Sequence, residues 1–175
     1  MSTQPRAHDR PDAGAMPLAD LILPDPAATD ALAARLAARL RPGDSVWLEG
    51  DLGAGKTHLA RALIRSCLGA GGDRADIPSP TYTLVQTYDT PQGEIWHADL
   101  YRLFDPQEIV ELGLLDAVET AICLVEWPDR GALPATGRIL RLGLARLPDR
   151  PEARRLIATA PSDTGLAARL QGVWT

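Results

Sequence analysis

The sequence has no asparagine and only one lysine, Lys56, among its 175 residues, and arginine supplies the other Lys/Arg-type charges. Without asparagine the chain cannot form the Asn-Lys-x-Asp pattern with which GTPases read guanine. It also has no Asp-x-x-Gly sequence for a second phosphate-sensing switch. These absences argue against a guanine-specific GTPase. By elimination, they favour adenine for any nucleotide that the chain binds.

Long apolar runs are absent as well, because no stretch approaches the roughly 18 residues that a membrane span requires. The first seventeen residues have no apolar core, so we do not interpret them as a secretory signal. The two cysteines, Cys67 and Cys123, lie in apolar stretches at a spacing that fits no metal site, and we expect buried free thiols. These features predict a cytoplasmic protein that does not contact the membrane.

Basic side chains are the minority, with 18 Lys and Arg against 23 Asp and Glu, for a formal net charge of −5. This balance argues against a chain that itself holds nucleic acid, because such binding depends on Lys and Arg neutralising phosphates. We therefore expect no DNA ligand. The charge does not exclude a role in an RNA pathway through a basic partner.

Apolar periodicity and turn residues predict helices and strands that follow one another along the chain. Asp25 and Pro26 predict the N-cap and first residue of an amphipathic helix, which Pro42 and Gly43 end. A turn at 91–93 predicts a hairpin. The predicted helices are 26–40, 56–68 and 106–112, and the predicted strands are 45–49, 81–89, 94–98, 121–125, 138–144 and 154–160.

The glycine-rich segment 50–57, GDLGAGKT, stands between the first predicted strand and the second predicted helix. Its glycines let the chain curl so that backbone N–H groups and a helix N-terminus converge on an anion. Lys56 would bind and catalyse by placing a cation on the β- and γ-phosphates, and the Thr57 hydroxyl would ligate Mg²⁺. We predict a site for ATP with Mg²⁺, in which Lys56 is joined by the backbone of Leu52, Gly53, Ala54, Gly55 and Thr57.

Two acidic residues, Asp99 and Glu126, each follow a predicted strand. A nucleotide enzyme needs a carboxylate near its metal, usually at the end of a strand beside the loop. We predict that Thr57 and Glu126 hold Mg²⁺ and that Asp99 orients or deprotonates the attacking water, although the two acids could exchange these catalytic roles. We place His97 out of phase with Asp99 and assign it to packing or a hydrogen bond rather than to catalysis.

Four blocks, in order, resemble the bacterial TsaE family: residues 50–57, the segment Ser79-Pro80-Thr81, HADLYRL at 97–103 and VEWP at 125–128. The order and spacing of all four blocks match over roughly residues 21–127, and the C-terminal strands match loosely. The resemblance implies an α/β fold, a single P-loop NTPase domain with a mixed parallel and antiparallel sheet flanked by helices. The predicted hairpin agrees with such a mixed sheet.

The resemblance further implies a small ATPase needed to form N6-threonylcarbamoyladenosine at position 37 of tRNAs that read codons beginning with A. It implies two partners, the TsaB and TsaD proteins, whose repeated turnover the ATPase supports, with tRNA contacted indirectly through their complex. By the same resemblance Thr81 belongs to a mobile loop near the γ-phosphate, Trp127 is tied to activity at the nucleotide, and Pro26 lies where adenine-side contacts fall.

The domain organisation that we expect is one P-loop ATPase domain over 18–160, after a mobile tail at 1–17 and before a short helix or tail at 161–175. Two alternatives remain. A small-molecule or nucleoside kinase shares the loop but usually needs an Arg-rich lid, and the close pair Arg154 and Arg155 lies in a predicted strand. A module that binds ATP without hydrolysing it would have no need of the two acids.

Overall fold

A seven-stranded sheet forms the centre of the protein in this computed structural model, which describes residues 14–103, 105, 107–131, 133–134, 137–162 and 164–175. The sheet order is β1-β7-β6-β2-β5-β4-β3. The strands are β1 (Ala15–Leu23), β2 (Asp44–Glu49), β3 (Val85–Thr90), β4 (Gly93–Asp99), β5 (Ile122–Glu126), β6 (Arg138–Leu147) and β7 (Arg150–Pro161). Strands β6, β2, β5 and β4 run parallel, and the outer strands pair antiparallel. The predicted α/β fold with a mixed sheet is confirmed.

Five α-helices connect or follow the strands in the described ranges: α1 (Pro26–Ala37), α2 (Lys56–Leu68), α3 (Glu108–Glu111), α4 (Leu114–Thr120) and α5 (Leu166–Arg169). Short 3-10 segments lie at Gly69–Arg74 and Pro128–Arg130. As expected, Asp25 caps α1, accepting a hydrogen bond from the Ala28 N–H at 2.8 Å, and Pro26 opens the helix. No helix in these ranges is both long and apolar enough to cross a membrane.

Two apolar layers cover the faces of the sheet, and alternation along β2 divides its side chains between them. Val46 and Leu48 point into the larger layer with α1, α2 and α5, while Trp47 points into the layer with α3 and α4. Each layer holds one free cysteine, as the sequence predicted. Burial raises the pKa of the Cys67 thiol to about 11 and that of Cys123 to about 12, so neither is a reactive thiolate at neutral pH.

The first strand was not predicted. Residues 15–17, assigned to the tail, pair antiparallel with the end of β7, so the sheet begins before the predicted boundary at residue 18. Burial along β1 follows no strict alternation because this strand lies at the edge of the sheet, and it therefore gives little periodic signal. Residues 1–13 of the predicted tail lie outside the described residues.

Two further expectations need correction. The strand predicted from residue 81 begins only at Val85, because Leu84 takes a left-handed φ of 62° and donates its N–H to the Pro80 carbonyl oxygen at 2.7 Å. The predicted helix 106–112 is the short α3, and Gly113, with φ 71°, separates it from α4, which was not predicted. Both breaks depend on single residues with positive φ, which periodicity does not reveal.

The C-terminal segment packs on the domain core. Leu166, Leu170 and Val173 are buried in the layer that holds α1 and α2. The Arg35 guanidinium of α1 donates from Nε to the Val173 carbonyl oxygen at 2.7 Å. Residues 161–175 thus contain a short helix, as expected, and contribute to the same core.

Asp44, at the start of β2, joins three parts of the chain through a fully buried carboxylate. It accepts hydrogen bonds from Arg138 Nε of β6 at 2.7 Å and from the Arg41 N–H at 2.8 Å. Arg169 Nη2 of α5 contacts the same carboxylate. A buried charge that is hydrogen-bonded on both oxygens becomes costly when one partner is neutralised.

We expect Asp44→Asn to lower the free energy of unfolding by about 2–3 kcal/mol, since it leaves two arginines facing an amide. Urea denaturation followed by circular dichroism measures the change. Asp20→Asn is the matched control, because Asp20 makes an exposed ion pair with Arg155 and its loss should change stability little. Equal losses in the two variants would contradict the structural role of Asp44.

Candidate nucleotide-binding site

The segment 50–55 leaves β2 between its two parallel neighbours and leads directly into α2. Gly50 has φ 132°, and a Cβ atom built there would lie 2.2 Å from the Leu144 carbonyl oxygen of β6. Gly55 caps α2 with φ 108°. Only glycine combines these backbone angles with so close an approach, so the sequence of the loop is dictated by its path.

Lys56 is almost fully buried and bends back over the loop that precedes it. Its ammonium donates to the carbonyl oxygens of Gly50 at 2.7 Å and Asp51 at 2.9 Å, and it lies 3.8 Å from the centroid of the Trp127 ring. Burial lowers the pKa of Lys56, while the carboxylates of Glu126, Asp99 and Asp51 oppose that shift. The one lysine of the chain is thus held over the loop by two backbone carbonyls and the indole ring.

Thr57 and Glu126, the two residues predicted to hold Mg²⁺, are in direct contact. The Thr57 hydroxyl donates to Glu126 Oε2 at 2.7 Å, and His97 Nε2 lies 2.9 Å from Glu126 Oε1. His97 is completely buried, and its Nδ1 has no hydrogen-bond partner among the described residues. This geometry matches an imidazole in which Nε2 carries a proton and donates to the carboxylate.

The hydrogen bond of His97 was anticipated, but its predicted phase was wrong. His97 and Asp99 are two residues apart in β4, so both point to the same side of the sheet. A correct count of the strand period would have placed the imidazole beside the acids of the site. His97 therefore fixes one carboxylate oxygen of Glu126 and leaves the other for Thr57.

Asp99 lies beside Glu126 because β4 and β5 pair in parallel with these two residues in register. Its Oδ2 accepts from the Thr81 hydroxyl at 2.7 Å, and its Oδ1 accepts from the Tyr101 N–H at 3.1 Å. Ser79 Oγ is 2.7 Å from Thr81 Oγ1. The predicted loop Ser79-Pro80-Thr81 is thus attached to one of the two acids.

Trp127, directly after β5, adopts left-handed backbone angles of φ 58° and ψ 51°. Such angles are unfavourable for a bulky residue and are retained where the surroundings over-determine them. They place the indole beside Lys56 and 4.9 Å, centroid to centroid, from the Tyr101 ring. Trp127 thereby forms one wall of the site.

These side chains surround an open cavity of about 430 Å³. Its lining residues are Leu52, Gly53, Gly55, Lys56, Thr57, His58, Thr81, Asp99, Tyr101, Arg102, Glu126 and Trp127. Nine of these were predicted site residues. Two predicted residues do not line it: the Ala54 side chain is buried beneath the loop, and Pro26 is exposed at the start of α1.

Three lining residues were not among the predicted site residues. His58 Nε2 forms a 2.8 Å contact with Asp30 Oδ1, which links α2 to α1 at the cavity edge. Tyr101 anchors Asp99 through its N–H, and the Arg102 guanidinium stacks 4.5 Å from the exposed Tyr82 ring. Tyr101 and Arg102 lie in the block HADLYRL at 97–103, but nothing local in the sequence connects His58 with Asp30, which lie on separate helices.

The donor set fits a nucleotide with Mg²⁺. No group of three His, Cys, Asp or Glu side chains able to hold a metal ion occurs in the described part of the chain. Mg²⁺, however, is usually bound by one or two carboxylates together with water and substrate phosphates, rather than by an all-protein cage. Thr57 and Glu126 would supply such oxygens, and the glycine loop with the N-terminus of α2 would hold the phosphates beside them.

Comparisons with known proteins identify a family for this chain. The family model described as "Threonylcarbamoyl adenosine biosynthesis protein TsaE" matches residues 23–154. Proteins named "tRNA threonylcarbamoyladenosine biosynthesis protein TsaE" are 46% identical over 109 residues in Rickettsia felis (62% of each chain) and 39% identical over 104 residues in Bacillus subtilis (59% of this chain and 62% of that protein). The matches thus span about three fifths of these relatives.

A solved structure has a similar fold. The crystal structure of YdiB from Bacillus subtilis superposes with a TM-score of 0.64 at 28% identity, covering 87% of this chain and 93% of that one. The family model matches well over half of the sequence and includes all the acids and the loop of the cavity. The chain therefore belongs to the TsaE family.

Proposed function

We propose that this protein is a Mg²⁺-dependent ATPase that supports the TsaB–TsaD complex in forming N6-threonylcarbamoyladenosine at position 37 of tRNA. The observation that carries the proposal is the 2.7 Å hydrogen bond from Thr57 to Glu126 at the start of α2, in a cavity that also holds Lys56 and Asp99. These are the parts that phosphoryl transfer to water requires. Membership of the TsaE family supplies the pathway.

The phosphates would lie along the glycine loop, where the ammonium of Lys56 turns from its carbonyl partners toward them. Thr57 and Glu126 would hold Mg²⁺, and His97 keeps Glu126 from rotating. The bound ion would neutralise charge on the β- and γ-phosphates. Because the Thr57 proton already points to Glu126, the hydroxyl oxygen keeps its lone pairs for a metal.

Asp99 is our candidate for orienting or deprotonating the attacking water. Its two oxygens are fixed by Thr81 and by the Tyr101 N–H, so the carboxylate keeps one orientation at the cavity wall. Glu126, in contrast, is directed at Thr57 and His97. These separate partners support the division of roles in which Glu126 binds Mg²⁺ and Asp99 orients or deprotonates the water.

The arginine pair at 154 and 155 gives the kinase alternative no support. Arg154 and Arg155 lie in β7, where Arg155 pairs with Asp20 of β1 and Arg154 contacts backbone carbonyls, so this pair forms no lid. The net charge of −5 also fits a chain that contacts tRNA through partners rather than binding it directly. The TsaB–TsaD pair is therefore the proposed context for ATP hydrolysis.

The first test is phosphate release from Mg·ATP by the purified protein, alone and with its cognate TsaB–TsaD pair. We expect slow release alone and faster release with the pair. Lys56→Ala should lower the stimulated rate by roughly 10²-fold or more, since it removes the ammonium that we propose contacts the β- and γ-phosphates. If wild type neither binds ATP nor responds to the pair, the proposed function is wrong, and a phosphorylated acceptor in place of free phosphate would indicate a kinase.

The second test separates the two acids. Asp99→Asn should lower kcat by about 10²–10⁴-fold while Mg·ATP still binds, as expected for loss of a general base. Glu126→Gln should raise the Mg²⁺ concentration for half-maximal rate by about 10–100-fold. Steady-state kinetics at varied Mg²⁺ and ATP, with binding measured by calorimetry, distinguishes these effects.

The matched control for both substitutions is Asp89→Asn, which neutralises an exposed carboxylate on β3 away from the cavity and should leave both quantities unchanged. Exchanged phenotypes would mean that the two acids have exchanged roles. Unchanged phosphate release in the double variant of Asp99 and Glu126 would show that neither is catalytic and would favour an ATP-binding module.

A further inference from the structure

Two arginines of the β6–β7 hairpin hold consecutive carbonyl groups of the glycine loop. Arg146 Nε donates to the Gly53 carbonyl oxygen at 3.1 Å, and Arg154 Nε donates to the Ala54 carbonyl oxygen at 2.9 Å. The loop and the two arginines lie about a hundred residues apart in sequence. The sheet order brings them together, because β6 lies beside β2 and β7 lies beside β6.

Arg146 and Arg154 are direct cross-strand partners in the β6–β7 register. Like charges in such a pair repel each other, so the arrangement is unfavourable unless each cation finds another interaction. In the described part of the chain both find a loop carbonyl. The pairing therefore makes physical sense as a double contact to the loop.

The Arg154 contact sets the direction of a peptide group. The loop has no cis peptide bonds, so the carbonyl of Ala54 and the N–H of Gly55 point in opposite directions across one planar unit. Gly55 lines the cavity, whereas Arg154 does not. Holding the carbonyl on the outer side thus directs the Gly55 N–H toward the cavity.

The arginine is itself held in place. Arg154 Nη1 donates to the carbonyl oxygens of Pro151 at 2.6 Å and Ala153 at 2.8 Å in its own strand. A planar guanidinium can make these contacts and the Ala54 contact together, which an ammonium on a flexible stem cannot. Around Gly53 the fit is equally close, because a Cβ there would lie 2.9 Å from Arg146 Nη2.

We propose that Arg154, assisted by Arg146, is a positioning residue that fixes the peptide planes of the glycine loop for a polyphosphate before the ligand arrives. The inference rests on the proposed nucleotide function of the same loop. Preorganising a binding loop raises affinity because the ordering cost is met during folding. The arginines act through the loop backbone and from outside the cavity.

The test measures Mg·ADP affinity by calorimetry for wild type, Arg154→Gln and Arg154→Lys. We expect roughly tenfold weaker binding in Arg154→Gln, the size of one lost charge-assisted hydrogen bond. Arg154→Lys keeps the charge but not the planar geometry, so it should recover little of that affinity. Full recovery with lysine would show that charge alone acts and would overturn the proposal.

A second readout needs no ligand. Amide hydrogen exchange of residues 51–57 in the nucleotide-free protein should be faster in Arg154→Gln than in wild type. Arg155→Gln, the neighbouring arginine that pairs with Asp20, is the matched control and should change neither exchange nor affinity. Unchanged exchange and unchanged affinity in Arg154→Gln would each contradict the proposal.

The outcomes separate this inference from the proposed function. If wild type fails to bind Mg·ADP, the nucleotide function is wrong, while the exchange experiment still reports on the loop. If Arg154→Gln does not fold, Arg146→Gln provides the same test from an exposed position, through the Gly53 contact. Slower amide hydrogen exchange of the loop in Arg146→Gln than in wild type would overturn the proposed positioning role.

Discussion

The structure depends on the tight passage of the chain from β2 into the loop that precedes α2. Gly50 passes so close to the Leu144 carbonyl oxygen that no side chain fits there. This contact seats the loop against β6 and fixes where α2 begins. Lys56 and Thr57 are the first two residues of that helix, so their positions follow from the path of the loop. The arrangement of the cavity is therefore set by backbone packing before any polar side chain is considered.

The buried charges of the cavity are arranged around one cation. A buried ammonium is costly unless its protons are satisfied. Lys56 finds two backbone carbonyls and an indole face, while Glu126 is held separately by Thr57 and His97. The cation and this carboxylate are thus each satisfied without a direct ion pair between them. Under the proposed function, a phosphate would displace hydrogen bonds between the ammonium and backbone carbonyls, which would cost less than breaking a buried ion pair.

Much of the site could be predicted because its signals are local. The glycine loop, the acids at the ends of β4 and β5, and the N-cap of α1 each depend on a few adjacent residues. The left-handed turn at Leu84 could not be predicted, since leucine seldom adopts that φ and only tertiary contacts select it. The contact of His58 with Asp30 depends on how two helices pack, and no sequence spacing encodes it. For His97 the signal was present, because a spacing of two residues puts it on the same face as Asp99.

The mixed sheet explains how residues from both sides of the glycine loop come to lie beside it. Parallel strands β5 and β4 end beside the loop, and their last residues carry the two acids. On the other side of the loop, β6 also ends beside it. Strand β7 runs antiparallel to β6 and therefore begins at the same end of the sheet, which brings Arg154 next to Arg146. A parallel strand in place of β7 would have put its first residues at the opposite end of the strands, far from the loop. The change of strand direction thus places the glycine loop between carboxylates on one side and guanidinium groups on the other, and the β6–β7 hairpin holds the loop from outside the cavity while forming part of the core.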